Sequence, residues 1–418
     1  MSKKVVITGI GVLSSLGIST EDHLAAIKEG KSGLKTPQDK TFMCNFGPIP
    51  DYNPGIFIKN KKAIRFFSQQ TMNGCSAAEL AIRDAQLSLE EICKNSHKNA
   101  LIIGTGITQG LKPLSEAIVS CTNTEGIIDY DKLGNTGYRL LPPLWMLSRL
   151  PNTTAGQISI QNSFQGLNYS LVNGINSGIV AIGEAFIAIK DQRAIRVVCG
   201  GSEDEIFADY FCRLSEESLT SVAVDASRPF CSDSKGFLCG EGCSICIVED
   251  EDEAKARGAK IYGEIIGYSN YYIPDFKKLN SLNGIANYFE KSMLKALEMA
   301  KVSYNDINFI QASACGNPKL DFAEALAIKN IFGKKPFITT AQSYVGNTLA
   351  ASGAISVAFA SLALQANIIV PLLYTDHLFL DSELSYVKNK AIENESKFCL
   401  VNSFSYLGET CSLIIKKR

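Results

Sequence analysis

Short apolar runs and longer amphipathic stretches alternate along this chain from one end to the other. Runs rich in β-branched residues and bounded by glycine or polar turns predict strands at Lys4–Thr8, Ala100–Gly104, Ser159–Gln161, Tyr169–Val172, Arg196–Gly200, Cys243–Glu249, Ala259–Gly267, Phe309–Ala312, Pro336–Thr340 and Phe398–Asn402. Apolar positions at helical spacing predict helices at Glu21–Glu29, Ser68–Ala85, Ser177–Lys190, Ile285–Ala300, Phe322–Asn330 and Gly353–Gln365. Strands alternating with helices indicate largely parallel sheets covered by helices, and no low-complexity linker divides them. The apolar run after Lys3-Lys4 is broken by Gly9, Gly11, Ser14 and Ser15 and followed by no small-residue cleavage site. It therefore reads as a buried first strand turning at Gly9 rather than as a signal peptide. No segment reads as apolar for long enough to span a membrane.

One junction in this pattern carries chemical information. In Gly166-Leu-Asn-Tyr-Ser-Leu-Val-Asn-Gly-Ile-Asn-Ser-Gly178, Tyr169 and Leu171 read as a buried strand, Asn173-Gly174 as a tight turn, and Ser177 as the opening of a helix running through Ile179, Ile182, Phe186 and Ile189. A strand that breaks sharply into a helix sets a residue where free N–H groups and the helix dipole favour an anion. A cysteine there would be a thiolate. This chain has Ile175, which has neither a proton to lose nor a lone pair to offer.

With 418 residues, 46% hydrophobic and 20% charged, the chain can bury a large core, as two or three average domains or as two fused similar halves. A net charge of −1 without a dominant basic stripe gives no reason to expect nucleic-acid binding. Its 13 cysteines have no regular spacing and read as reduced, buried thiols of a cytoplasmic protein. Cys239, Cys243 and Cys246 approach zinc-site spacing, but Cys243 and Cys246 fall in one strand, three apart, and so point to opposite faces. No metal site is expected. Gly104-Thr-Gly-Ile-Thr-Gln-Gly110 lacks dinucleotide-fingerprint spacing, and no cofactor is expected. The run Glu249-Asp-Glu-Asp-Glu-Ala-Lys-Ala-Arg257 reads as an exposed helix joining the halves.

The frame around Ile175 resembles that of the β-ketoacyl-acyl carrier protein synthases, condensing enzymes of fatty acid and polyketide synthesis with a thiolase-like fold. The likeness runs through Lys4–Gly17, Arg65–Ser68, Ile103–Gly106, Pro151–Ile160, Gly183–Ala185, Gly200–Glu203, Arg228–Phe230, Gly236–Gly242, Ala254–Lys260, Gly346–Gly353 and Asn402–Phe404. It implies a layered α-β-α-β-α sandwich of two thiolase-like halves, here residues 1–250 and 251–418. It also implies which positions matter. The family's cysteine falls on Ile175, its first catalytic histidine on Ser313, its lysine on Gln342 and its second histidine on Asn347. Condensation needs the thiol for covalent catalysis and two imidazoles to steady the developing enolate. All four positions lack that chemistry, and the three histidines (His23, His97, His377) lie away from the family motifs.

The family's glycine-rich gate loop is represented by Phe404, Ser405, Tyr406, Leu407 and Gly408, where Ser405 and Leu407 imply a stiffer loop. The resemblance is to the chain-length factor of type II polyketide synthases, as used in antibiotic biosynthesis. Such a non-catalytic subunit pairs as a heterodimer with a catalytic ketosynthase and is served by acyl carrier protein. Candidate tunnel and interface residues are Leu111, Leu114 and Ile118, one helical face, with Tyr169, Leu171 and Asn173 on the pairing strand. Alternatives are a similar partner in aryl polyene or fatty acid-type synthesis, and an enzyme with rewired chemistry at Ser313 or Cys315.

Overall fold

Residues 3–36, 45–106, 112–203, 227–275, 278 and 280–418 are described by the computed structural model. The first half supplies strands β1 (Val5–Ser14), β2 (Asn99–Thr105), β3 (Asn168–Leu171), β4 (Arg196–Glu203) and β5 (Gly242–Asp250). The second supplies β6 (Gly263–Tyr272), β7 (Phe309–Gln311), β8 (Phe337–Thr339), β9 (Ile368–Ile369), β10 (Ser385–Tyr386), β11 (Ile392–Glu393), β12 (Phe398–Phe404) and β13 (Glu409–Lys416). Eleven of these are hydrogen-bonded in the order β10-β8-β7-β12-β13-β6-β1-β5-β4-β2-β3, while β9 pairs with β11.

That order contains a repeat. With the two-residue edge strand β10 set aside, β3-β2-β4-β5-β1 and β8-β7-β12-β13-β6, each read inward, place the third, second, fourth, fifth and first of these five strands of each half in the same sequence. The first three are joined in parallel and the last two antiparallel in both. The copies are spliced where Val5–Ile7 of β1 pair with Gly263–Ile265 of β6.

Two helices, Ser177–Lys190 and Ser352–Ala366, lie between the strand layers and pack against each other. Both are apolar nearly all round, as helices covered on every side must be. They touch through glycines: a Cβ on Gly178 would sit 3.0 Å from the Ala354 Cβ, and one on Gly353 would sit 2.7 Å from the Ile179 Cβ. Helix Gln69–Asp84 covers the outer face of the first half, and Leu282–Ala300 with Pro318–Phe332 that of the second. The result is the layered α-β-α-β-α sandwich.

Several expectations need correction. The first strand does not turn at Gly9 but runs on to Ser14, bulged between Ile7 and Gly9. Gly11 is required instead by helix packing, since a Cβ there would lie 1.9 Å from the Ala77 carbonyl oxygen. Ser159–Gln161 is part of helix Thr153–Asn162, whose buried positions Thr154, Ala155, Ile158 and Asn162 follow a helical and not a strand period. Tyr169 and Leu171 are half-buried, because β3 is the outermost strand. Leu349–Ala366 does meet the length and composition of a membrane span, yet it is mostly buried as the core helix. Cys243 packs in the core under helix Gln69–Asp84 and Cys246 in the central core, on opposite faces of β5.

The acidic run beginning at Glu249 is also not an exposed face. Glu249 is fully buried, with Arg196 Nη2 at 2.9 Å, Arg257 Nη2 at 2.5 Å and the Thr8 hydroxyl donating at 2.6 Å. Burial pushes its carboxyl up, but the hydrogen bond from Arg257 and the charges of Arg196 and Arg257 outweigh this and hold it below the ordinary value. Only the short helix Glu251–Ala256 continues the run.

His23 is a second buried polar centre. Its Nδ1 lies 2.7 Å from the Ser19 carbonyl, which fixes the hydrogen on that nitrogen, so Nε2 accepts from the Ser14 hydroxyl at 2.7 Å. Burial lowers its pKa to about 4. A depressed histidine contributes stability that is present above pH 6.5 and lost as pH falls toward 4, because the unfolded chain takes up the proton first. Relative to a His23→Gln variant, the native chain should lose up to about 3 kcal/mol between those limits. Unfolding free energies of the two proteins measured from pH 7 to pH 4 check this, and parallel curves would contradict it.

Candidate active-site pocket

The structural repeat positions the site. In each half the third strand leads into a central helix that opens with Ser-Gly, through a short turn in the first half and through the one-turn helix Gln342–Val345 and a following turn in the second. Ser177 Oγ accepts the Asn173 N–H at 2.8 Å, and Ser352 Oγ accepts the Thr348 N–H at 2.9 Å, so the two turns are closed in the same way. Ile175 lies in the first turn, within the 3-10 segment Gly174–Asn176, and Asn347 lies in the second. The two helix N-termini therefore approach one pocket from two directions.

All four positions inferred from the family resemblance line that pocket. Ile175, Ser313, Gln342 and Asn347 surround it with Phe237, Cys315, Asp321, Glu324, Asn402 and Tyr406 among others. The space open to a water centre is about 20 Å3, room for roughly one water molecule. Ile175 is 7% exposed and packs with Phe237, Leu238, Cys239, Cys315 and Leu349, with Tyr406 and Leu34 at the margin. An isoleucine plug thus sits at the foot of the helix.

The remaining groups are held in place by hydrogen bonds. Ser313 accepts the Phe404 N–H on its hydroxyl at 2.9 Å, and its own N–H donates to Glu324 Oε1 at 3.0 Å. Asn347 Oδ1 accepts from the Leu349 N–H at 2.9 Å and the Ser352 hydroxyl at 3.0 Å. Gln342 opens a one-turn helix, and its Oε1 is buried without a hydrogen-bond partner. Cys315 is buried, which pushes its thiol well above the ordinary range and keeps it protonated. None of the three histidines lines the pocket.

The gate-loop residues form the β12–β13 hairpin turn. The Ser405 N–H donates to the Glu409 carbonyl and the Gly408 N–H to the Ser405 carbonyl, each at 2.8 Å. The hairpin is fastened to the turn holding Ile175. Asn176 Nδ2 donates to the Glu409 carbonyl at 2.9 Å, Asn173 Nδ2 donates to Glu409 Oε1 at 3.0 Å, and the Ser403 hydroxyl donates to Asn176 Oδ1 at 2.7 Å. Leu407 remains exposed at the tip.

Asp321 and Glu324 were missed in the sequence. Both stand in the first turns of helix Pro318–Phe332, which is capped by Asn317 through the Lys319 and Leu320 N–H groups. With Ile328 they share one buried face at i, i+3, i+7, and that periodicity is the signal that would have found them. Asp321 accepts the N–H groups of Phe230, Cys315 and Gly316 at 2.8–3.0 Å. Burial raises both carboxyls to about 7, against the lowering effect of these backbone bonds on Asp321 and of the Ser313 N–H and Asn402 side chain on Glu324.

The other candidates lie elsewhere. Leu111, with Gly110 and its neighbours from Ile107 on, falls outside the described residues. Leu114 and Ile118 are half-buried on helix Lys112–Ser120, and neither lines the pocket. Tyr169 and Leu171 lie on β3, at the end of the sheet. Gly104 passes the start of helix Ser177–Lys190 so closely that a Cβ would meet the Ser177 carbonyl carbon at 2.2 Å.

A thiolase-like sandwich with its pocket at two converging helix starts defines a class, and comparison with known proteins agrees. The description "Beta-ketoacyl synthase, N-terminal domain" matches residues 2–254, and "Beta-ketoacyl synthase, C-terminal domain" matches residues 278–376. The chain belongs to the β-ketoacyl synthase family. It is 30% identical over 440 residues to 3-oxoacyl-acyl-carrier-protein synthase 2 of Rhizobium meliloti (strain 1021), covering 99% of each chain. Its fold is shared with "The ishigamide ketosynthase/chain length factor" at a TM-score of 0.85 and 23% identity, with 100% of each chain covered. A type II polyketide synthase ketosynthase, solved with its acyl carrier protein and bound to the hexaketide, matches at a TM-score of 0.80 and 23% identity, again over 100% of each chain. At that identity the two structures bear on the fold alone.

Proposed function

We propose that this chain is a chain-length factor, a ketosynthase-like subunit that does not condense substrates itself. It pairs in the cytoplasm with an active ketosynthase building a polyketide on acyl carrier protein, and shapes the tunnel receiving the product. The observation that carries this reading is the pocket lined by Ile175, Ser313, Gln342 and Asn347, with a buried plug where a nucleophile would stand and no imidazole among its lining residues. Acyl transfer needs a nucleophile activated by a base, and Ile175 offers none while the Cys315 thiol is held neutral.

Pairing is supported by the end of the sheet. Among the described residues no strand pairs with the outer edge of β3, Val172 just beyond it is exposed, and Tyr138, Leu140, Leu144, Met146 and Leu150 expose apolar side chains over residues 138–150. A bare edge beside an apolar surface is a hazard unless covered. Leu114 and Ile118 are proposed to line the tunnel from this side, with Tyr169, Leu171 and Asn173 at the pairing strand. The Rhizobium meliloti relative carries the name of a synthase, and the rewired-enzyme reading would give this chain an activity of its own. Against it, Cys315 is held as a neutral thiol and the Ser313 hydroxyl is engaged by the gate loop.

Reconstitution tests the reading. With a catalytic ketosynthase, acyl carrier protein and malonyl donor, omission of this chain should abolish product of defined length, and adding it back should restore it. Equal product in its absence would sink the proposal.

A further inference from the structure

The pocket holds two buried oxygen atoms that the protein leaves without a hydrogen bond. Glu324 is 1% exposed and Gln342 is 4% exposed. Glu324 Oε1 is satisfied by the Ser313 N–H and by Asn402 Nδ2, each at 3.0 Å, whereas Glu324 Oε2 has no partner. Gln342 Oε1 has none either. Both residues line the same pocket, whose open space of about 20 Å3 holds roughly one particle of water size.

The charges around this space are one-sided. Among the described residues the titratable groups lining the pocket are Glu324, Asp321, Cys315 and Tyr406, and none is a cation. Asp321 is already engaged by three backbone N–H groups. The two helix N-termini add partial positive charge but place no N–H on Glu324 Oε2. A buried carboxylate needs a paired charge, and a buried amide carbonyl needs a donor or a cation. A lone water would serve the hydrogen bonds but leave the charge that Glu324 carries above its raised value of about 7. A divalent ion would want several carboxylates to balance its charge, and only one carboxylate oxygen is free.

We propose that this pocket binds one monovalent cation of potassium or ammonium size, held between the Glu324 carboxylate and the Gln342 side-chain carbonyl. The site is independent of the partner reading above, since it concerns the folded chain alone. The ion occupies the end of the space that the side chain at position 342 leaves unfilled, and it ties helix Pro318–Phe332 to the turn after β8.

Melting of the purified chain at pH 8 in potassium, ammonium or choline chloride at equal concentration tests this. Potassium or ammonium should raise Tm over choline, which is too large to enter, by roughly 2–5 °C at saturation. Glu324→Gln should lose that response. Gln342→Lys supplies an ammonium group covalently, so it should melt higher in choline and lose the response as well. Crystals grown with rubidium should show an anomalous peak between Glu324 and residue 342. Identical melting of the native chain in all three salts, or a response that survives Glu324→Gln, would overturn the proposal. A peak only elsewhere in the crystal would do the same.

Discussion

Incubated alone with acyl-loaded acyl carrier protein, the chain is expected to take up no acyl group, and with malonyl donor to make no condensed product. The reason is local: Ile175 fills the helix start that would hold a thiolate, and Cys315, the one thiol that reaches the space among the described residues lining it, is buried and neutral. Ile175→Cys should restore the thiol and little else, because Ser313 and Asn347 provide no imidazole to move protons or steady an enolate. Losing general acid–base and oxyanion assistance together costs roughly 10^4-fold or more in rate, so even the thiol-bearing variant should stay near background. Intact-protein mass spectrometry reads both outcomes. An acyl adduct on the native subunit, or full turnover from the single substitution, would show that the site works by other groups.

The largest effect on stability is expected at Glu249. It is wholly buried between Arg196 and Arg257, and its removal as Glu249→Ala leaves two guanidiniums facing each other in the core, with one hydrogen bond from Arg196 to Asn99 Oδ1 and one from Arg257 to the Ala85 carbonyl remaining. Breaking a buried ion pair from one side costs about 3–5 kcal/mol, much of it the penalty for the charges left behind. Its native carboxyl titrates below the ordinary range, so the contribution is present above that range and fades as pH falls through it. Denaturant unfolding at pH 7 measures the loss. A change within about 1 kcal/mol, the ordinary effect of a surface substitution or less, would mean the cluster is solvated in the folded chain.

The frame was legible where local chemistry and packing agree. The turn into Ser177 and the central helices could be read because glycine, serine and an unbroken apolar period coincide there. The strand at Glu409–Lys416 escaped because Thr410 and Ser412 make it look solvated, although both are buried in a strand flanked by β12 and β6. Helix Thr153–Asn162 was lost to the alternation Gln-Ile-Ser-Ile-Gln, which mimics a strand until the burial of Ala155 and Ile158 is known. Glu249 was unreadable as buried because acidic residues are ordinarily solvated, and the same expectation hid Asp321 and Glu324 despite the helical period they share with Ile328. Some of their partners lie far away in sequence, as Arg196 does from Glu249 and Phe230 from Asp321. The four pocket positions, scattered from 175 to 347, could be gathered only through family resemblance, since no periodicity links them.

The central claim is that this chain works as one half of a pair, and native mass spectrometry of material co-expressed with a catalytic ketosynthase tests it most directly. The expected result is a one-to-one complex that survives dilution, burying well over ~2,000 Å² as permanent interfaces do, with insoluble or self-paired protein when the chain is expressed alone. A soluble monomer at micromolar concentration that ignores the ketosynthase would contradict it.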